Sequence, residues 1–111
     1  MIIYRVEHIS DHTGPYNGTG SIYMDHSDSN HPSMRQEFYA IYTSIDSAEW
    51  FFGFTSAEAL SLWFEEYIQE LHDAGNVIGM YECDTVIEGE LQCVFKMHHA
   101  TRIDEISILA A

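Results

Sequence analysis

The sequence predicts an α+β fold, an antiparallel sheet of about four or five strands with one principal helix packed across a face. Two observations carry this. One segment, 52–75, repeats its large apolar residues every three or four positions, the rhythm of a helix with one broad apolar face. Several other segments alternate apolar and polar residues with period two, as strands do. With 111 residues there is room for one domain, 1–111, and little else.

Taken in order, residues 2–7 alternate Ile2, Tyr4 and Val6 against Ile3, Arg5 and Glu7. This predicts a strand with its first set facing inward. Residues 10–20 hold three glycines, a proline and an asparagine, chemistry that breaks regular structure. The polar, irregular character continues to residue 34. Pro32 biases His31 towards extended geometry. Residues 36–43, with Phe38, Ala40 and Tyr42 alternating against Tyr39, Ile41 and Thr43, read as a second strand. Residues 49–54 read as a short third one leading into the helix.

The helix itself has a predicted start and stop. Thr55 and Glu58 stand three apart, the spacing of a capping box. Leu60, Trp63, Phe64, Tyr67, Ile68 and Leu71 form the apolar face, and Gly75 is the expected left-handed residue past the end. Residues 77–83 and 91–97 then read as two strands, with Glu88-Gly89 as the turn between them. In the tail, Ile103, Ile106 and Leu109 fit a helix while Ile106 and Ile108 fit an edge strand. Both readings stay open. The expected core joins Trp63, Phe64, Tyr67, Ile68 and Leu71 to Tyr4, Val6, Leu91, Cys93 and Phe95. Cys83 and Cys93 are too few for a disulfide scaffold and lack zinc-site spacing, so both are expected as reduced core residues.

Charge is the least ordinary feature. Eighteen Asp and Glu against four Lys and Arg give a formal charge of −14, beyond the magnitude of about 2–8 that suits a small soluble domain. Direct binding to nucleic acid is excluded as a reading, because phosphate contacts need clustered cations. Between Arg35 and Lys96 lie 12 carboxylates and no Lys or Arg. The helix face opposite the core carries Glu58, Glu65, Glu66, Glu70 and Asp73, with Leu62 the one large apolar residue on that side. Glu82, Asp84, Glu88 and Glu90 extend the same sign over the following strands. A helix surface ordinarily mixes signs to gain i,i+4 pairs. These nine residues are therefore the candidate partner-binding set: a negative surface that imitates duplex phosphates and occupies a nucleic-acid channel on a cationic protein. The plainer alternative is acidic solubility alone.

No catalytic residues are assigned. Gly-x-Ser-x-Gly, P-loop and Gly-x-Gly-x-x-Gly motifs are absent. Asp25, His26, Asp28 and His31 could offer nitrogen and oxygen to a divalent metal, with His98-His99 adding a ligand. However, the segment fails the EF-hand pattern, and a polar loop without metal is the plainer reading. No metal and no cofactor are expected. No segment reaches the roughly 20 apolar residues of a membrane span, and no signal-peptide pattern opens the chain. A cytoplasmic location in a host cell is the expectation.

Two resemblances add to this. Arg5, then Thr43-Ser44, then Glu88-Gly89-Glu90 fall in an order similar to that of arginine-specific ADP-ribosyltransferases. That resemblance would make Arg5 and Ser44 holders of NAD and Glu90 the residue orienting the ribose, and it supplies the alternative function, a small NAD-using transferase. The strings YRVEH, TGPY, HP and GFTS…LWF resemble small proteins of phages and their hosts, a group that brings no catalytic residues. It implies a phage setting, where short acidic proteins often antagonise bacterial defence, anti-CRISPR proteins included. The favoured expectation is thus a non-enzymatic inhibitor that blocks a nucleic-acid-binding site on a host defence protein.

Overall fold

The computed structural model describes residues 1–110. Among these residues ten α-helices and β-strands occur in the order β1 (Ile2–His8), α1 (Met34–Glu37), α2 (Tyr39–Tyr42), β2 (Trp50–Gly53), α3 (Ala57–Trp63), α4 (Ile68–Asp73), β3 (Asn76–Glu82), β4 (Val86–Glu88), β5 (Cys93–Lys96) and β6 (Thr101–Ile106). The class is α+β, as the sequence predicts. Its strands form two antiparallel three-stranded sheets, ordered β1-β3-β6 and β2-β5-β4. The two meet where Tyr4 and Phe54 exchange backbone hydrogen bonds of 2.8 and 2.9 Å.

The predicted long helix is two short ones, and a histidine explains the break. In a continuous helix the Tyr67 amide would donate to the Trp63 carbonyl. Here that carbonyl accepts His31 Nε2 at 2.8 Å, and the Tyr67 amide turns to the Phe64 carbonyl at 2.8 Å. A side chain inserted into the i→i−4 ladder is a recognised cause of a helix break. The start also differs by one residue. Ser56, not Thr55, is the N-cap, its hydroxyl accepting the Ala59 amide at 3.1 Å. The end is as predicted: Gly75 takes φ +90°.

Residues 36–43 are not a strand. Ser33 and Gln36 form a true capping box, which starts α1, and Phe38 is buried at the joint with α2. The aromatic alternation that suggested a strand leaves Tyr39 and Tyr42 in solvent. Nor do residues 77–83 and 91–97 pair with each other. β3 lies between β1 and β6, while β5 takes the three-residue β4 as its hairpin partner. The Glu88-Gly89 turn does close that hairpin, with the Gly89 amide on the Gln92 carbonyl at 2.8 Å. The tail is an edge strand followed by a short 3-10 turn.

Burial divides between two clusters. Val6, Phe54, Leu60, Trp63, Phe64, Leu71, Ile78 and Ile108 form the first, with Tyr4, Tyr67 and Ile68 packed against it. Ile3, Tyr81, Cys83, Cys93 and Phe95 form the second. The expected single core is therefore corrected: Cys93 and Phe95 serve the second cluster, and Leu91 is exposed. β1 feeds both, because its two faces are both covered. Cys83 and Cys93 are free and buried, as predicted, and burial pushes the Cys93 thiol up to about 12.

Candidate functional site

The second face of β1 carries Arg5 and Glu7 inward. Glu7 is fully buried. Its Oε2 accepts Arg5 Nη1 at 2.8 Å and the Tyr81 hydroxyl at 2.6 Å, and its Oε1 accepts Arg102 Nε at 2.8 Å. Gly79, opposite Arg5 on β3, makes the space, since a Cβ there would run into the Glu7 carboxylate. Arg102 also donates to Glu105 at 3.0 Å. Lys96 pairs with Asp46 at 2.9 Å. That hydrogen bond, with one from Ser44, holds the Asp46 carboxyl down at about 2. Of the four cationic side chains, only Arg35 makes no ion pair among the described residues.

The acidic set is the complement of this arrangement. Glu58, Glu65, Glu66, Glu70, Asp73, Glu82, Asp84, Glu88 and Glu90 are all exposed. The structure gathers part of the set. Glu65 and Glu66 lie in the turn between α3 and α4, so the sequence-predicted unbroken helix face is corrected for them. They line one groove together with Glu90, Asp25, Asp28, Leu62 and Leu91. The β4–β5 turn is held near that groove by Glu37, whose Oε2 accepts the Glu90 and Leu91 amides at 2.8 and 3.2 Å. Glu58 and Glu65 flank a neighbouring apolar hollow with Leu62 and Leu109. Glu70 and Asp73 follow on α4. Glu82 and Asp84 stand apart, at the end of β3, where the Met1 ammonium lies 2.8 and 3.9 Å from them. Glu88 is on the edge strand β4.

His26 and His31 fix the polar loop 10–33 to α3. Their rings stack at 3.9 Å and 7°. His31 faces the Trp63 carbonyl through Nε2 and Asp28 through Nδ1, each at 2.8 Å. Both are acceptors, so the ring satisfies them together only when both nitrogens carry hydrogen. Trp63 Nε1 donates to the Tyr16 hydroxyl at 2.9 Å. The same hydroxyl lies 2.7 Å from His26 Nδ1, within hydrogen-bond distance. Burial, and then the adjacent His31, hold His26 below the usual histidine range. No group of three His, Cys, Asp or Glu among the described residues is placed to hold one ion. His98 and His99 are engaged elsewhere, near Glu49 at 3.4 Å and Thr85 at 3.1 Å.

A wide cleft lies behind this loop, between residues 12–18, β2 and α3, with Arg5 in its lining. Thr43, Ser44, Glu88 and Glu90 do not line it. The transferase-like residues are thus not gathered round this cleft. The sequence reading missed this cleft and the Arg5–Glu7–Arg102–Tyr81 cluster. The available signal was a strand whose second face, Ile3-x-Arg5-x-Glu7, puts two opposite charges beside an isoleucine.

Residues 1–109 match the family model described as bacteriophage T4 Y00F protein. The chain belongs to that family. Membership in the Y00F family makes this a phage protein, in keeping with the resemblance carried by the YRVEH, TGPY and GFTS strings. No curated protein and no solved structure is significantly similar to it. Among the described residues, no helix is long and apolar enough to cross a membrane.

Proposed function

We propose that this Y00F-family protein is a non-enzymatic binding protein. Its acidic surface docks on a cationic, nucleic-acid-binding site of a host protein and blocks it as duplex phosphates would occupy it. One observation carries the reading: three of the four cationic side chains are paired within the fold while nine carboxylates face solvent. Arg5 and Arg102 converge on the buried Glu7, and Lys96 is held by Asp46. The nine exposed carboxylates therefore present one sign with little internal relief. A surface shaped only for solubility has no need of apolar anchors, yet Leu62, 69% exposed, and Leu91, 42% exposed, stand among Glu65, Glu66 and Glu90 in one groove. An apolar centre inside a polar rim is the general layout of a protein-binding patch.

In a phage setting the natural partner class is a host defence protein that acts on nucleic acid, and anti-CRISPR inhibition is one such mode. The transferase alternative has no observation in its favour. Tagged protein immobilised in a bacterial host lysate at low salt should retain a nucleic-acid-binding protein. Added duplex DNA should release it, and so should about 1 M salt, where the Debye length falls to about 3 Å. A retained partner that neither DNA nor salt displaces would contradict the proposal.

A further inference from the structure

The cleft behind the histidine loop differs in chemistry from the acidic surface. Its volume of about 620 Å³ falls within the range of roughly 300–1,000 Å³ found for small-molecule sites. Tyr16, Phe51, Phe52, Phe54 and Trp63 give it aromatic walls. Arg5, 8% exposed, is in its lining.

The guanidinium is only partly engaged. Arg5 Nη1 donates to Glu7 Oε2 at 2.8 Å and to the His12 carbonyl at 2.7 Å. Nε and Nη2, the two donors of one edge, have no acceptor among the described residues, yet neither is sealed off from solvent. Nη2 lies beside Gly14, where a Cβ would come within 3.3 Å. Among the described residues Glu7 is the one carboxylate paired with Arg5, and Arg102 shares it while also holding Glu105.

We propose that this cleft binds a small aromatic carboxylate. The ring lies against the aromatic walls, and the carboxylate bridges Nε and Nη2 of Arg5, the bidentate geometry a guanidinium edge favours. A monoanion suits the site better than a phosphate dianion, because every added negative charge must enter the field of a chain with a formal charge of −14. Affinity then rests on contacts inside the cleft, not on long-range attraction. This site is independent of the docking reading above.

Naphthoate is the probe, with naphthalenemethanol as its neutral counterpart. Proton–nitrogen correlation NMR of the full chain should show saturable shifts of the Trp63 indole and Arg5 Nε–H signals with naphthoate. The alcohol should bind about tenfold more weakly or worse, as expected when a charge-assisted pair is lost. Gly14→Leu, at a position without positive φ, fills the space at Arg5 and should abolish the shifts while melting remains cooperative. Should that variant fail to fold, the comparison of acid and alcohol on the parent protein decides. Absence of saturable shifts, equal binding of the alcohol, or undiminished binding to folded Gly14→Leu would overturn the proposal.

Discussion

Glu7→Gln tests the internal pairing of charge on which the surface argument depends. The substitution keeps the side-chain shape but removes the charge and turns one acceptor oxygen into an NH₂ group. Glu7 now accepts three hydrogen bonds, from Arg5, Tyr81 and Arg102, at 2.6–2.8 Å and with no solvent exposure. Whichever way the amide turns, its NH₂ meets a donor: the Arg102 guanidinium on one side, Arg5 Nη1 with the Tyr81 hydroxyl on the other. Two guanidinium groups also lose their shared counter-charge. Breaking a buried ion pair from one side typically costs about 3–5 kcal/mol, against a total stability of about 5–15 kcal/mol for a domain. For a chain of this size the melting midpoint should drop by on the order of 10–20 °C. Urea denaturation followed by tryptophan fluorescence gives the free energy, and calorimetry the midpoint. A Gln variant within about 1 kcal/mol of the parent would show that Glu7 does not hold the two arginines, and the argument for cations paired within the fold would fail with it.

Other substitutions test the remaining parts of the fold. Trp63→Ala removes a 9% exposed ring from the first cluster and the donor to Tyr16, and should cost about 3–5 kcal/mol; an unchanged denaturant midpoint would mean the α3 face has been assigned wrongly. Gly75→Ala puts a side chain at φ +90°, with its Cβ 2.7 Å from His8 Nε2, and should destabilise by at least about 1–2 kcal/mol; a neutral result in urea would contradict that backbone geometry. Asp46 is held at about 2, below the ordinary aspartate value of 3.8, so its pair with Lys96 stabilises the fold above about pH 4 and is lost as pH falls towards 2. Asp46→Asn should flatten that part of the melting-temperature profile, and an unaltered acid slope would remove the pair from the account.

How far the sequence led depends on the range of the contact involved. Local signals were legible: the periodicity of Leu60, Trp63, Phe64 and Leu71, the stop at Gly75, the alternation in β1, β3 and β5, and the turn at Glu88-Gly89. What escaped was decided by partners far along the chain. The break between α3 and α4 is made by His31, 32 positions before the carbonyl it takes. Phe38 to Thr43 alternate like a strand, but a capping box at Ser33 and the tie from Glu37 to Glu90 and Leu91 turn the segment into helix. Local propensity is a weak prior where tertiary contacts compete. Of the candidate site, helix phase gave the exposure of Glu58, Glu70 and Asp73, and charge alone that of the carboxylates on turns and strands. Their division between the groove and the Met1 end could not be read, because it follows from the pairing of Ile2 with Glu82. The cleft could not be read either, since its walls come from segments spread from Arg5 to Gln92.

The central claim is that exposed carboxylates, set among leucines, drive association with a cationic partner. The most direct measurement compares the parent with a variant in which Glu65, Glu66 and Glu70 become Gln and Asp73 becomes Asn, binding the captured partner at two salt concentrations. All four residues are exposed, so the variant should fold as well as the parent or slightly better, its like-charge repulsion being relieved. Parent association should slow steeply as the Debye length shrinks from about 10 Å at 0.1 M to about 3 Å at 1 M. The variant should associate more slowly at low salt, with a smaller change in dissociation and a flatter salt dependence, as expected for steering charges. Equal association rates for parent and variant at low salt would contradict the claim and leave the acidity as a solubility feature.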